Sequence, residues 1–312
     1  MTNGDRRETR ALILGASGLV GHYCLRRWRE RAGWRASGTS YPSGFPGLAL
    51  LDIHDAAATR RAIAEAKPHL VVLCASNPFV DYCETHPEET RALNVTATLE
   101  TARAAREAGA TLVFFSSDYV FDGKAAPYKE DDPVAPLNEY GRQKAEADAK
   151  IAKLGPDHLI LRLSGVFGWE LGRKNFVLQV VDRYAAGRGV QAATDIRYNP
   201  TYAANLPDVI AELFETGRRG VYHAAGAEEV SRYDLAVEAA RAFGLDASRV
   251  ESILAETLKQ PARRPAHSSL RTDKVRQAIR APLLGAAKAL AHMRSEEAAW
   301  NAYVDGLGLA AK

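Results

Sequence analysis

The chain has 312 residues, of which 46% are hydrophobic and 25% are charged, and its formal net charge is +3. This length and composition indicate a globular protein with one large α/β domain, or one such domain with a smaller lobe. The small, dispersed charge gives no sign of a nucleic-acid partner, and no apolar run approaches the ~20 residues that would cross a membrane.

Three cysteines, Cys24, Cys74 and Cys83, have neither metal-ligand spacing nor an even count. We therefore expect no metal site, and we expect reduced thiols in a cytoplasmic protein. The first ten residues are charged and lack the apolar core of a secretory signal, so we expect them to be a frayed leader before the first strand. The sequence leaves the oligomeric state open, a homodimer included.

The first predicted strand, residues 10–14, runs into a glycine-rich turn with the sequence GASGLVG. Glycines occupy positions 15, 18 and 21, and an amphipathic helix follows to about Ala32. Glycines permit a tight turn and a close approach of the backbone to a pyrophosphate, and the helix N-terminus offers free N–H groups. The strand, turn and helix together predict a dinucleotide-binding site.

The second predicted strand, residues 34–38, is followed by Thr39, Ser40 and Tyr41 without a carboxylate. An acidic side chain at this point usually binds the ribose of NAD(H). Because the hydroxyls of Thr39 and Ser40 can donate to a 2′-phosphate instead, the sequence favours NADP(H) over NAD(H).

The third predicted strand, residues 48–51, ends in Asp52 and Ile53. An acid at this position can accept a hydrogen bond from the adenine amino group, with Ile53 covering the ring. The alternative is that Asp52 only caps the helix predicted over residues 56–66.

The chain then alternates apolar strands with helical patterns. Residues 69–75 form a continuous apolar run, as in parallel strands buried on both faces, and another strand covers residues 112–115. Such alternation predicts an α/β fold with a Rossmann-type doubly wound parallel sheet.

The rhythm of strands and helices loosens in the second half of the chain. This change predicts a dinucleotide-binding domain over residues 1–164, to which segments of the second half return. Residues 165–312 are predicted to form mainly a smaller, substrate-binding lobe, with one terminal helix from Ala281.

Hydroxyl, phenol and ammonium groups suited to carbonyl reduction follow the strand at residues 112–115. Ser116 and Ser117 come directly after it, and Tyr140 and Lys144 lie four residues apart on one face of a predicted helix. We expect Tyr140 to protonate the developing alkoxide, Lys144 to lower the pKa of that phenol and to hold the nicotinamide ribose, and Ser117 to donate to the carbonyl oxygen. The acidic residues 130–132 in the intervening loop are interpreted as solvated turn residues.

With these residues in place, the chain resembles the extended short-chain dehydrogenases/reductases, and more closely the dTDP-4-dehydrorhamnose reductase family, from Ala11 to about Arg276. The resemblance is carried by GASGLVG, FVDYCETHPEETRALNVTAT, FFSSDYVFDG, PYKEDDPVAPLNEYGRQKAEAD, LRLSGVFG, NPTYAANLPDVI, GVYHAAG and ARRPAHSSLRTDKV. It implies NADP(H)-dependent reduction of the 4-keto group of a nucleotide-activated 6-deoxysugar, as in dTDP-rhamnose biosynthesis.

The resemblance also implies roles for individual residues. Ser117, Tyr140 and Lys144 match the catalytic trio, and Asn94 matches an asparagine that supports the active-site backbone. The implied cofactor contacts are Gly15, Ser17, Gly18, Leu19 and Val20 for the pyrophosphate, Asp52 and Ile53 for the adenine, and Cys74, Ala75 and Ser76 for the adenosine and nicotinamide side. The predicted substrate positions are Val80, Ser116, Asp118 and Gly165.

The chain departs from the family pattern at three points. Gly165 stands where family members often carry a tryptophan, so one wall of the sugar site is missing or replaced, and Trp169 is either its substitute or a core residue. The catalytic hydroxyl is a serine where threonine is common, and the stretch after Arg276 matches poorly. The identity of the sugar therefore stays open.

Two other functions are compatible with the same fold. One is a non-catalytic NAD(P)-binding regulatory subunit of the methionine adenosyltransferase type, which has no need of the Ser–Tyr–Lys trio. The other is a nucleotide-sugar epimerase or dehydratase, which usually requires further acid and base residues near that trio.

Overall fold

The structure, a computed structural model, describes residues 8–308, so most of the predicted leader lies outside the described residues. Its central sheet has seven parallel strands, numbered along the chain: β1 (Thr9–Leu14), β2 (Trp34–Ser40), β3 (Ala49–Leu50), β4 (Leu70–Leu73), β5 (Thr111–Ser117), β6 (His158–Leu163) and β9 (Gly220–His223). They are arranged in the order β3-β2-β1-β4-β5-β6-β9. This is the Rossmann-type strand order with one further strand, and it confirms the predicted fold class.

Helices cover both faces of this sheet because its strands are apolar on both sides. The helices of this part are α1 (Leu19–Glu30), α2 (Ala56–Ala66), α3 (Val80–Thr85), α4 (Pro87–Arg91), a π-helical segment (Ala92–Ala97), α5 (Thr98–Glu107), α6 (Glu139–Lys153), α8 (Leu206–Glu215) and α10 (Asp273–Ala278). Helices α1, α8 and α10 contribute to the core on one face, and α2, α5 and α6 to the core on the other. The carboxyl ends of the strands stay open between these layers.

Most of the second half forms a separate apolar cluster around Trp169 and Tyr202. Its elements are α7 (Phe176–Ala185), β7 (Val190–Ala193), β8 (Arg197–Tyr198), β10 (Val230–Ser231), α9 (Arg232–Ala242), β11 (Val250–Ile253), α11 (Ala286–Ser295) and α12 (Glu297–Gly306). The strands pair as two small sheets, β8 with β10 and β7 with β11. Strand β9 lies between these segments in sequence but pairs with β6 of the central sheet.

The prediction of a single terminal helix from Ala281 is wrong, because α11 and α12 are two helices that meet at Glu296. The turn lets Trp300 stack on Trp169 at 6.4 Å between ring centroids and pack against His22 at 5.0 Å. No glycine or proline marks this break in the sequence, and long-range aromatic packing accounts for it.

Candidate active site

The glycine-rich turn after β1 leaves an open helix N-terminus at the edge of the sheet. Gly15 has φ of +83°, and a Cβ there would lie 2.8 Å from the Ala75 backbone nitrogen, so glycine is required. Gly18 is the N-cap of α1, and no side-chain hydrogen bond caps this end of the helix. The first N–H groups of α1 are therefore available to an anion such as a pyrophosphate.

The predicted pyrophosphate contacts lie around this helix N-terminus. Gly18 is exposed, and Gly15, Ser17, Leu19 and Val20 are partly exposed. These residues are therefore accessible to a ligand from solvent.

The two hydroxyls predicted to meet a 2′-phosphate lie inside the structure. Both Thr39 and Ser40 are the last residues of β2 and are buried. The Thr39 hydroxyl accepts a hydrogen bond from the Gly15 N–H at 3.4 Å, and the Ser40 hydroxyl has no partner among the described residues. Tyr41 directly follows the last residue of β2, and its polar side chain is 55% exposed.

Asp52 does not cap α2, because Asp55 is the N-cap and accepts from the Ala58 N–H at 2.8 Å. The Asp52 carboxylate instead accepts from the backbone N–H and the ring of His54, at 2.9 and 2.8 Å. Partial burial opposes ionisation, but these hydrogen bonds hold the pKa of Asp52 below its ordinary value. The charge of Asp52 in turn raises the pKa of the Tyr41 phenol, and Ile53 is buried beside it.

The end of β4 faces the glycine turn. Cys74, Ala75 and Ser76 are partly exposed there, and Ala75 makes the close contact with Gly15. The three cysteines of the chain are free thiols, and burial raises the pKa of the Cys74 thiol far above its ordinary value. Within residues 8–308, no group of three or more His, Cys, Asp or Glu side chains is arranged to hold a metal ion.

The predicted trio meets where β5 ends and α6 begins. Lys144 is buried, and its Nζ donates to the carbonyl of Phe115 at 2.9 Å and lies 5.7 Å from the centre of the Tyr140 ring. The Ser117 Oγ donates to the Asp118 Oδ1 at 3.0 Å and accepts from the Tyr119 N–H at 3.1 Å. The structure thus brings phenol, ammonium and hydroxyl together as the sequence predicts.

Helix α6 is held against this strand end by its own first turn. Asn138 caps the helix by accepting from the Gly141 N–H at 2.8 Å. A Cβ at Gly141 would lie 2.2 Å from the Tyr119 carbonyl oxygen, so the helix approaches the turn after β5 as closely as a backbone can. This contact fixes the distance between the phenol and the serine.

Burial, and not the lysine, controls the protonation of Tyr140. It raises the pKa of the phenol well above its ordinary value, and the negative charge of Asp118 adds to the shift. The expected net lowering of this pKa by the Lys144 ammonium is therefore not what the structure shows. Burial also lowers the pKa of Lys144 to about 8, against the opposing charge of Asp148.

Asp118 is the hub of a buried hydrogen-bond cluster. Besides Ser117, its carboxylate accepts from the hydroxyls of Ser164 at 2.6 Å and Ser268 at 2.5 Å. Burial raises the pKa of Asp118 to about 6, although these three hydroxyls favour the ionised form. Sequence reasoning missed Ser164 and Ser268 because they are far from Asp118 along the chain and carry no local motif.

Ser116 points away from Ser117, as neighbouring residues on a strand do. Its hydroxyl donates to the Asp148 Oδ2 at 3.0 Å, which also accepts from the Arg162 Nε at 3.2 Å. The other oxygen of Asp148 is buried without a hydrogen-bond partner within the described part of the chain. Asp148 lies one helical turn beyond Lys144, so this buried ion pair holds α6 against β6.

The acidic loop residues are not all solvated, as the sequence interpretation had them. Glu130 is partly buried, and its carboxylate accepts from the His223 N–H at 3.0 Å. Asp131 is exposed. Glu130 thus holds the end of β9 to the loop after β5.

Asn94 occupies the π-helical segment and supports the site's backbone. Its amide oxygen accepts from the Asn77 N–H at 2.8 Å, and its amide nitrogen donates to the Asn77 carbonyl at 3.1 Å and to Gln143 at 2.9 Å. It ties the loop after β4 to the helix that carries Tyr140.

The predicted sugar positions Val80 and Gly165 lie on different elements. Val80 begins α3 and is partly buried. Gly165 is exposed and has φ of +45°, and a Cβ there would lie 2.3 Å from the Tyr198 Cε2. Trp169 does not replace the missing wall, since it is buried in the second cluster with its Nε1 donating to the Met293 carbonyl at 2.7 Å.

Comparison with known proteins agrees with this geometry. The model of the RmlD substrate binding domain matches residues 9–298. A dTDP-4-dehydrorhamnose reductase of Streptomyces griseus is 34% identical over 281 residues, covering 88% of this chain and 89% of that protein.

Two further similarities come from a regulatory subunit and from a solved structure. The methionine adenosyltransferase 2 subunit beta of Xenopus tropicalis is 32% identical over 254 residues, covering 79% of this chain and 76% of that protein. The crystal structure of a hypothetical dTDP-4-dehydrorhamnose reductase from Sulfolobus tokodaii superimposes with a TM-score of 0.79 at 32% identity, covering 88% and 97% of the two chains. The chain belongs to the RmlD substrate binding domain family, and it is an NAD(P)-dependent oxidoreductase.

Proposed function

We propose that the protein uses NADP(H) to reduce the 4-keto group of a nucleotide-activated 6-deoxysugar of the dTDP-4-dehydrorhamnose type. The observation that carries the proposal is the meeting of Ser117, Tyr140 and Lys144 at the end of β5, on the same edge of the parallel sheet as the uncapped N-terminus of α1. Reductase relatives of more than 30% identity support the substrate class.

The residues present fit a bound nicotinamide dinucleotide. The turn at Gly15 and the free N–H groups after Gly18 suit its pyrophosphate. When bound, the reduced nicotinamide supplies the hydride that reaches the carbonyl carbon. Without a carboxylate at the end of β2 to accept from the ribose 2′-hydroxyl, the site favours NADP(H) over NAD(H).

Tyr140 acts as the proton donor. Its raised pKa keeps the phenol protonated near neutral pH, which is the form needed to protonate an alkoxide. With a pKa of about 8, Lys144 is mostly charged at the same pH and stabilises the phenolate that remains after transfer.

Ser117 fixes the carbonyl oxygen. Its hydrogen is directed to Asp118 in the structure and turns to the carbonyl oxygen by rotation about one bond. Asp118 keeps two other donors, Ser164 and Ser268, when that happens. The serine can thus change partners without leaving a bare carboxylate.

Reduction of dTDP-4-dehydrorhamnose by NADPH, followed at the nicotinamide absorbance, tests this function. We expect turnover by the wild-type protein and a loss of about 10²–10⁴-fold in kcat for Tyr140→Phe, because the general acid is removed. Tyr303→Phe, on the terminal helix, is the matched control. Unchanged turnover in Tyr140→Phe would contradict the mechanism, and turnover of other keto sugars alone would contradict the substrate.

A non-catalytic regulatory role is the weaker alternative, because such a subunit has no need of the Ser–Tyr–Lys trio that this chain carries, although the methionine adenosyltransferase subunit is about as similar as the reductases. Co-purification with a synthetase together with no turnover of any keto sugar would contradict the reductase. Epimerase or dehydratase chemistry has less support, since Glu130 is engaged with the β9 backbone.

Three further predictions accompany this function. The cytoplasmic location is tested by fractionation. Within residues 8–308, no helix is both long and apolar enough to cross a membrane. Light scattering tests the homodimer. Limited proteolysis near residue 164 tests the division into a dinucleotide-binding domain and a substrate-binding lobe.

A further inference from the structure

Tyr198 of β8 occupies the space beside Gly165. A Cβ on Gly165 would lie 2.3 Å from the Tyr198 Cε2, and the φ of +45° at Gly165 disfavours other residues as well. A side chain at position 165 and the Tyr198 ring therefore exclude each other. The ring, brought from the second half of the chain, stands where the wall expected from residue 165 would be.

The hydroxyl of Tyr198 is buried, and its hydrogen has no acceptor. The residue is 4% exposed, and no side chain or backbone group among residues 8–308 accepts a hydrogen bond from its Oη. A buried phenolic hydrogen without an acceptor is unfavourable, so its retention suggests an acceptor that arrives with a ligand.

Arg232, the first residue of α9, lies beside this hydroxyl. Its guanidinium packs 3.9 Å from the centre of the Phe176 ring and forms no ion pair with any residue that the structure describes. The pairing of β8 with β10 places the two residues together, since Ser231 pairs with Arg197 and the Arg232 N–H donates to the Ile196 carbonyl at 2.9 Å. Burial raises the pKa of Tyr198, and both the charge of Arg232 and a side-chain hydrogen bond from it oppose that shift. The negative charge of Asp118 also raises the pKa of Tyr198. The Asp118 carboxylate already accepts hydrogen bonds from three hydroxyls.

This pair borders the catalytic cluster. Gly165 directly follows Ser164, whose hydroxyl bonds Asp118, and Asp118 bonds the catalytic Ser117. A ligand that reaches Tyr198 therefore extends from the reacting carbonyl toward the second half of the chain.

We propose that Tyr198 and Arg232 bind the diphosphate of the nucleotide-activated sugar, with the Tyr198 ring forming the wall of the sugar site. A phenol and a guanidinium are both donors, and the planar guanidinium suits phosphoryl oxygens. This inference rests on the proposed function, because it takes a nucleotide sugar as the ligand.

Calorimetric titration of the NADPH-saturated protein with dTDP tests the inference, since NADPH keeps dTDP out of the coenzyme site. We expect Tyr198→Phe to weaken dTDP binding by about 3–10-fold and Arg232→Gln by about 10–100-fold, in keeping with the loss of a neutral and a charged hydrogen bond. Two matched controls leave the affinity unchanged. They are Tyr184→Phe, whose hydroxyl bonds the Asp246 carbonyl, and Arg241→Gln, an exposed arginine of α9 paired with Glu238.

Unchanged dTDP affinity in both variants, or no dTDP binding by the wild-type protein, overturns the inference. An equal loss of NADPH affinity in the same variants also overturns it, because the residues would then serve the fold as a whole. A protein that binds dTDP as expected but reduces no keto sugar supports the diphosphate site and contradicts the proposed function.

Discussion

The Ser117 hydroxyl donates to the Asp118 carboxylate at 3.0 Å, and two further serines from distant parts of the chain donate to the same carboxylate. Asp118 is buried and has a pKa raised to about 6. The Ser117 hydroxyl and the buried acid are thus coupled, which has consequences for stability as well as for the proposed reduction.

Ionisation of Asp118 should cost stability. Its folded-state pKa of about 6 exceeds the ordinary 3.8, so the folded protein binds more protons between these values and stability falls as pH rises through them. The shift corresponds to on the order of 3 kcal/mol. Urea unfolding measures the free energy of unfolding of Asp118→Asn and of the wild type at pH 4 and at pH 7. From pH 4 to pH 7 the stability of Asp118→Asn relative to the wild type should rise by roughly this amount. A pH-independent difference between the two proteins would contradict the shift.

Ser117 and Ser116 form a matched pair of neighbouring hydroxyls on opposite faces of β5. Ser117→Ala removes the group that fixes the carbonyl oxygen and should lower kcat by about 10²-fold. Ser116→Ala loses only a hydrogen bond to Asp148 and should have a far smaller effect. Steady-state kinetics with the keto sugar distinguish the two, and equal losses would argue against an active role for Ser117.

Asp148 should keep Lys144 charged. Burial has lowered the pKa of Lys144 to about 8, and the charge of Asp148 opposes that shift. Asp148→Asn removes the opposing charge, so Lys144 should lose its proton at lower pH. The fall of kcat on the alkaline side of the pH profile should therefore begin at a lower pH. The pH profile of kcat measures this shift.

Asp157→Asn, an exposed acid near the start of β6, is the control for Asp148→Asn. Asp148→Asn should also destabilise the fold, because it leaves the buried Arg162 without its ionic partner. An unmoved alkaline limb in a folded Asp148→Asn protein would rule out the electrostatic role.

Gly21 should be required for cofactor binding. A Cβ at Gly21 would lie 2.4 Å from the Gly15 carbonyl oxygen, so Gly21→Ala must push α1 away from the turn. We expect NADPH affinity to fall at least ~10-fold, because the helix N-terminus would no longer face the pyrophosphate. Gly44→Ala, with no atom within 4 Å of its Cβ, is the control. Fluorescence titration with NADPH measures both variants.

Local pattern was sufficient for the fold and for placing the proposed catalytic pair on one helical face. Strand, glycine turn and helix predicted the first βα unit, and the spacing of Tyr140 and Lys144 placed both on one helical face. These features depend on neighbours within a few residues, so the sequence carries them directly. The position of Ser117, directly after an apolar strand and before that helix, likewise made it a candidate from the sequence.

Residues that act across long distances in sequence could not be found in this way. Ser164 and Ser268 reach Asp118 only because β6 and a late loop converge on the end of β5. The raised pKa of Tyr140 could not be predicted either, since burial, its main cause, depends on the whole fold.

By itself the sequence determined the parallel sheet, the glycine-rich turn and the trio on which the proposed reaction rests, because each follows from short-range geometry. Only the tertiary structure decided what surrounds that trio. It set Tyr198 against Gly165, buried the hydroxyls of Thr39 and Ser40, and gave Asp118 its three donors. Those relationships join segments that lie far apart in the chain, and packing alone brings them together.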